Sequence, residues 1–265
     1  MSSTYTASDG EAYERLMGRW SPLLADQLIA FAGVGDGEEV LDLGCGTGSL
    51  ALALAAHTGV RRILGIDAAP AYIAYAAQRS SDQRLSCAVG DGAALGLPDG
   101  SVDRAFSLLA LNFMATPARA IAELRRVTRA GGVVAAAVWD FSGGLVYQRI
   151  FWDTAAALDP EAARARARHF SSPLTREGEL GAALRVAGLQ AVEERALAIR
   201  MRYLDFADYW QPIAEAQGPV GDYVKRLPSD RLGALRQALA EAYCCGRPDG
   251  PRGMAATAWA AKGQV

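Results

Sequence analysis

Between residues 38 and 139, short apolar runs alternate with stretches whose apolar residues recur every three or four positions. "EEVLDLG" predicts a first strand and "GSLALALAAH" the helix after it. "RRILGID" predicts a second strand, followed by "PAYIAYAAQRS" with Pro70 suited to a helix's first turn. "RLSCAVGD" reads as a third strand, and "SVDRAFSLLAL", entered through the turn "LPDG", as a fourth. "PARAIAELRRVTRAGG" places Ile121, Leu124 and Val127 at helical spacing, with its glycine pair read as the C-terminal stop. "VVAAAVWD" is apolar throughout, as a strand buried on both faces is. Strand–helix alternation of this kind predicts a parallel sheet with helices on both sides. Right-handed crossovers bring the strand C-termini to one edge, where ligands bind.

After Asp140 the pattern changes. "FSGGLVYQRIFWDTAAALDPEAARARARHF" is helical and aromatic, and "SPLTREGELGAALRVAG" predicts another helix. "LQAVEERALAIRMRYL" predicts a long strand, "DFADYWQPIAEAQGPVGDYVKRL" is aromatic and irregular, and "SDRLGALRQALAEAYCC" is a helix with Ser229 or Asp230 as its cap. "MAATAWAAKG" predicts a last strand. The expected fold is a Rossmann-like, doubly wound α/β structure with a mostly parallel seven-stranded sheet and a helical cap inserted after the fifth strand. The expected organisation is a single domain over residues 1–265. It comprises a ligand-binding core at 38–140, N-terminal helices at 1–35, and a substrate-side cap at 141–170 and 204–228.

The 265 residues are 51% hydrophobic, enough for a full core, and the net charge of −2 lacks the basic surface of a bulk nucleic-acid binder. Only Lys225 and Lys262 are lysines among the 27 basic residues; in an alanine-rich chain this reads as codon bias. Cys45, Cys87, Cys244 and Cys245 show no zinc or redox spacing and suit free thiols in a reducing compartment. No apolar run is long enough to span a bilayer. "MSSTYTASDGEAYERL" lacks the positive end and apolar core of a signal peptide. The expectation is a cytoplasmic protein with no metal, no nucleic-acid partner and no membrane; the oligomeric state stays open.

The glycine stretch "LDLGCGTGSL" narrows the ligand. Gly44, Gly46 and Gly48 give G-x-G-x-G, with Ser49 where a dinucleotide fingerprint carries its third small residue, and no Lys follows as a P-loop requires. Asp42 lies just before the loop, an awkward place for a carboxylate if a pyrophosphate docks nearby; it suits a ligand carrying positive charge, and a structural role bonding loop amides is compatible with that. Asp67 ends the second strand, where a carboxylate can bond ribose hydroxyls or cap the next helix. Asp91 ends the third strand, where it can meet an adenine edge or simply serve the turn "GDG". Three carboxylates at successive strand ends suit a cationic nucleoside better than a diphosphate.

"VLDLGCGTGSLALALA", "GIDAAPAYIAYA", "VGDGAALGLPDGSVDRAFSLLALNF" and "AELRRVTRAGGVVAAAVWD" resemble the ordered motifs of class I S-adenosylmethionine-dependent methyltransferases. The branch is type 11, related to ubiquinone/menaquinone-biosynthesis methyltransferases. The resemblance covers residues 38–140, and "AYERLMGRWSPLLADQLIAFAG" resembles the N-terminal helices of some members. It implies S-adenosylmethionine as cofactor. Gly44, Cys45 and Gly46 would pack against its methionine part, and Asp67 would take its ribose, with Ala68 beside the adenine. Asp91, Gly92 and Ala93 would hold the adenine, and Leu108 would lie beneath the sulfonium.

Methyl transfer needs an aligned nucleophile and a dry site more than a catalytic group. A phenol or protonated amine also needs a base. His169 is the base candidate, and a mechanism without a base also fits; His57, at the far end of its helix, reads as structural or solvated. Arg164, Arg166 and Arg168 cannot share one helical face. Tyr13, Arg19 and Trp20 are candidates to close over the cofactor, and Trp139 and Tyr147 to face a substrate, each with core packing as the alternative role. "LALNFMATP" lacks the Asn-Pro-Pro-Tyr pattern of DNA amino-methyltransferases and protein glutamine methyltransferases. The acceptor expected is therefore a small molecule, methylated at oxygen or nitrogen ahead of carbon. The rival readings are a nicotinamide-dependent oxidoreductase on the same sheet and a non-catalytic S-adenosylmethionine-binding protein.

Overall fold

The computed structural model describes residues 9–216 and 218–265. The first eight residues, part of the stretch read above for a leader, and Gln217, in the segment read as irregular, lie outside the described residues.

The chain opens with α1 (Gly10–Tyr13), which runs into a π-helical turn at Glu14–Gly18 and then α2 (Ser21–Ala32). The alternating core follows as β1 (Glu39–Leu43), α3 (Ser49–His57), β2 (Arg62–Asp67), α4 (Pro70–Gln78), β3 (Leu85–Val89), β4 (Val102–Leu108), α5 (Pro117–Val127) and β5 (Thr128–Trp139). Next come α6 (Val146–Leu158), α7 (Pro160–Phe170), α8 (Glu179–Val186), β6 (Gln190–Tyr203), α9 (Phe206–Ala214), α10 (Pro219–Lys225), α11 (Ser229–Cys244) and β7 (Arg252–Gln264). The seven strands form one sheet in the order β3-β2-β1-β4-β5-β7-β6. β1 to β5 pair in parallel, and β7 runs antiparallel to both β5 and β6.

Burial on both faces explains the apolar strands. Along β1, Val40 enters one core and Leu41 and Leu43 the other; along β5, Ala135, Ala137 and Trp139 alternate with Val134, Ala136 and Val138. The first core also takes in α2, α3 and the aromatic residues of α6 and α9, while the second holds α5 and α8. The cap is therefore built on the face of the sheet that carries α2.

Four local expectations change. Gly131 and Gly132 do not stop α5. The helix ends at Val127, with the Thr128 hydroxyl donating to the Leu124 carbonyl, and the glycines lie within β5 at a register shift against β4. Gly131 takes φ 75°, and a Cβ on Gly132 would meet Thr128 at 2.6 Å, so glycine is needed at both. The segment after Asp140 divides into two helices because Asp159 leaves the α-helical region and caps α7 ahead of Pro160. The stretch read as irregular contains α9 and α10. Neither Ser229 nor Asp230 caps α11, whose preceding residue is Pro228. Among the described residues, no helix is long and apolar enough to cross a membrane.

Candidate active site

The site forms where the parallel strands end. Past Leu43 the chain turns through Gly44, Gly46 and Gly48 at φ 72°, 53° and 93°, the left-handed region that only glycine adopts readily. A Cβ on Gly44 would also collide with that of Ala110, so the β4 turn packs directly on the loop. The loop is held by backbone: Gly44 N–H donates to the Ile66 carbonyl at 2.7 Å, and Gly46 N–H to Asp67 Oδ2 at 2.9 Å. Gly48, ahead of α3, has no side chain to cap it, and the buried Asp42 carboxyl faces the helix's first turn at Ala51.

A cavity of about 640 Å³ opens over this loop. Its floor joins Gly44, Cys45 and Gly46 to Asp67 and Ala68, to Asp91, Gly92 and Ala93, and to Leu108, so every residue expected to hold the cofactor is gathered in one place. Asp67 Oδ1 accepts from Ala69 N–H at 2.8 Å, and burial raises its carboxyl above the usual range. Asp91 is exposed and accepts from Ala93 N–H at 2.9 Å. Asp42 is 1% exposed, and neither oxygen finds a hydrogen-bond donor among the described residues. It does not bond the loop amides. Burial pushes its carboxyl up to about 8, with Cys87 and Asp67 adding to the rise and the Ala51 amide of α3 opposing it. A buried acid left without a donor, lining a cavity, suits a cationic ligand.

The N-terminal segment roofs the loop. Tyr13 lines the cavity and its ring lies 5.3 Å from that of Tyr72. Glu14 accepts from the Thr47 hydroxyl and from Arg79. Arg19 and Trp20, expected to close over the cofactor, do not line the cavity. Arg19 pairs with Asp208 at 2.6 Å and lies over the rings of Trp20 (4.4 Å) and Tyr203 (5.1 Å), tying the N-terminal segment to α9 and β6. Their pull is toward the aromatic packing at the edge of the cap.

The opposite wall comes from the cap. Trp139, Phe141, Tyr147, Gln148, Phe151 and His169 line it, with Ile213 and Val220 completing it from α9 and α10. Asp140 lies outside: its carboxylate accepts from Ser142 and Gly143 and closes the turn into α6. His169 is buried, stacked on Phe141 at 4.2 Å, and its Nε2 lies 2.6 Å from Gln148 Oε1. Gln148 Nε2–H donates to Tyr147 Oη at 2.9 Å. The Gln148 amide thus joins the His169 imidazole to the Tyr147 hydroxyl in one hydrogen-bonded set. Burial pushes the imidazole down to about 4, so it is neutral at pH 7. His57 is exposed and pairs with Asp26 at 3.7 Å, away from the site.

Sequence reasoning missed Gln148 and Phe141, which no motif marks. It also missed that Cys45 and Cys87 meet. Both thiols pack over Gly65, where an added Cβ would lie 2.9 Å from one sulfur and 3.3 Å from the other. Their spacing of 42 residues carries no signal, and the β2–β3 pairing creates the contact. The Cys45 thiol donates toward Cys87 and holds the Cys87 thiol below its ordinary range. Among the described residues, no His/Cys/Asp/Glu cluster would hold a metal ion.

Comparison with known proteins agrees with this geometry. A family model described as "Methyltransferase domain" matches residues 41–136. The chain is 34% identical over 111 residues to the malonyl-[acyl-carrier protein] O-methyltransferase of Serratia marcescens, covering 42% of each chain. It is 34% identical over 118 residues to the 2-methyl-6-phytyl-1,4-hydroquinone methyltransferase of Synechocystis, covering 44% of this chain and 37% of the other. The chain thus spans less than half the length of these curated relatives. The protein crystallised with the Haloferax volcanii Trm112 methyltransferase activator shares the fold, with TM-score 0.58, 24% identity and coverage of 96% and 93%. The family match begins in β1 and runs into β5, so residues 41–136 match a methyltransferase domain over the parallel strands that carry the glycine loop and the strand-end carboxylates.

Proposed function

We propose that this protein transfers the methyl group of S-adenosylmethionine to oxygen or nitrogen of a small molecule. The observation that carries the reading is that a single cavity joins the glycine loop and its donorless Asp42 carboxyl to a cap-built wall bearing His169. Gly44, Cys45 and Gly46 would hold the methionine part, with Asp42 facing its positive charge. Asp67 would take the ribose, Ala68, Asp91, Gly92 and Ala93 the adenine, and Leu108 would floor the sulfonium. Residues 141–170 and 204–228 would form the substrate side of one domain; the cavity residues they contribute, from Phe141 to His169 and Ile213 to Val220, support that division.

When bound, S-adenosylmethionine supplies an electrophilic methyl on a good leaving group. The chain's part is to align the acceptor, exclude water and take up a proton. Trp139, Phe141 and Phe151 would keep the acceptor side dry, and the neutral His169 imidazole would receive the proton as the new bond forms. That one relative is named as an O-methyltransferase is in keeping with the reading.

Two measurements test it. Calorimetry should show S-adenosylhomocysteine binding that Asp67→Ala weakens by about tenfold or more, as loss of a hydrogen bond to a charged acceptor implies. Unchanged affinity contradicts the ribose assignment, and NAD binding in place of S-adenosylhomocysteine would favour an oxidoreductase. Labelled methyl groups from S-adenosylmethionine should pass into a metabolite extract; retention of the label would leave a cofactor-binding protein without turnover.

A further inference from the structure

Methyl transfer as proposed above makes no use of the thiols that meet beneath the glycine loop. Cys45 is buried and lines the cavity. Cys87 is partly exposed on β3, the edge strand of the sheet, and is not among the described lining residues. Gly65 of β2 brings them together: it pairs with Cys87 across the strand ladder, and Cys45 N–H donates to the carbonyl of the next residue, Ile66, at 3.2 Å. With no side chain at Gly65, both sulfurs converge on the space a Cβ would fill, 2.9 Å and 3.3 Å from it, close enough for one thiol to hydrogen-bond the other. Cys244 and Cys245, neighbours in the chain at the end of α11, can bridge each other only with backbone strain.

We propose that Cys45 and Cys87 form an oxidative modification site, a dithiol that a peroxide converts to a disulfide, and that the disulfide weakens cofactor binding at the glycine loop. The proposal rests on the cofactor reading above for its effect, and on the thiol geometry alone for the bond. Disulfide sulfurs lie about 2.05 Å apart, well inside non-bonded contact, so one cysteine must move. Cys87 is held in the β2–β3 ladder. Cys45 stands between Gly44 and Gly46, both left-handed, on a loop tied by its own bond to Ile66 and by Gly46 N–H to Asp67 Oδ2 at 2.9 Å. The loop therefore gives, and it displaces Gly46 and Asp67, the groups assigned to the methionine part and the ribose. Exposure sets the order of attack, since Cys87 is the thiol that an oxidant reaches first. Its sulfur attacks one peroxide oxygen, the O–O bond breaks, and the departing hydroxide takes up a proton to leave as water. The Cys45 sulfur then displaces hydroxide from the Cys87 sulfenic acid; the S–S bond forms, and the hydroxide leaves as water with the Cys45 proton. The two thiols lose two electrons and the peroxide gains them. A reducing thiol reverses the bond by exchange.

The full chain carrying Cys244→Ser and Cys245→Ser retains Cys45 and Cys87 as its only cysteines and isolates the pair. Hydrogen peroxide is expected to remove two hydrogens from its intact mass, leave no titratable thiol, and weaken S-adenosylhomocysteine by about tenfold or more; dithiothreitol should restore all three. Linkage runs both ways, so a tenfold preference of S-adenosylhomocysteine for the dithiol raises the midpoint potential of the pair by about 30 mV at saturation. Adding Cys87→Ser should leave affinity in the reduced protein unchanged, because that side chain is outside the described lining, and should make binding resistant to peroxide. Two free thiols after peroxide treatment overturn the proposal, as does a disulfide with unchanged affinity. So does a Cys87→Ser chain that loses binding to peroxide as readily as its parent. A reduced chain that does not bind S-adenosylhomocysteine would instead overturn the cofactor reading, with the mass still reporting the bond.

Discussion

At the scale of single residues, Asp42 links cofactor chemistry to stability. Its carboxyl ionises near 4 in an unfolded chain and only at about 8 in the fold. Between those values the folded chain holds a proton that the unfolded chain has lost, so this group's contribution to stability falls as pH rises and is lowest above pH 8. Asp42→Asn should remove that slope. The ligand-free variant should melt several degrees above wild type at pH 8.5 and no higher at pH 4, at roughly 2–4 °C per kcal/mol for a chain of this size. The same variant should bind S-adenosylhomocysteine less tightly above pH 8, because the fixed amide cannot ionise to meet a cation. Thermal melts across pH with and without ligand read both effects, and a pH-independent difference between the proteins would count against the buried acid.

At the scale of elements, Asp159 stands where three helices meet. Oδ1 accepts the Glu161 amide at 2.8 Å and caps α7, Oδ2 accepts the Tyr223 hydroxyl of α10 at 3.0 Å, and Arg231 of α11 approaches to 3.7 Å. Asp159→Ala should lower the urea midpoint by about 1–3 kcal/mol of stability, and Asp159→Asn by less, since the amide oxygen retains the cap. Equal losses would mean that charge matters more than capping. Asp159-Pro160 was visible in the sequence, yet its effect of dividing one helical pattern in two depends on the cap bond. α9 was legible in principle: Phe206, Tyr209, Trp210 and Ile213 follow helical spacing behind Asp205, but Pro212 and the glycine and proline that follow mask the period. The parallel strands were read correctly because burial on both faces writes itself as continuous apolar runs. The residues that gather at the cavity floor were legible because left-handed glycines and strand-end carboxylates are fixed by local chain geometry. That Arg19 and Trp20 lie off the cavity, and that Gln148 lies in it, could not be read, because partners nearly two hundred residues away or on the next helix leave no local pattern.

At the scale of the molecule, the roof of the cavity is made by two parts of the chain far apart in sequence. Tyr13, Leu16 and Met17 reach it from the N-terminal segment and Ile213 from α9. Arg19–Asp208 at 2.6 Å and Arg15–Glu215 at 3.2 Å join these parts, the first pair partly buried and backed by aromatic rings, the second exposed. Exposed pairs contribute little, so the Arg19 pair carries most of the coupling, on the order of 1 kcal/mol. Asp208 also accepts the Leu204 amide, which Asp208→Asn keeps within reach of an oxygen while removing the charge. That variant should speed amide exchange in residues 10–20 and 206–214 together. It should weaken S-adenosylhomocysteine by up to about fivefold, the value of 1 kcal/mol, with little change in the global melting temperature. Faster exchange in only one of the two segments would show that the ion pair does not unite them. Unchanged exchange in both would place the coupling in the apolar contacts of Trp20 and Tyr203 instead.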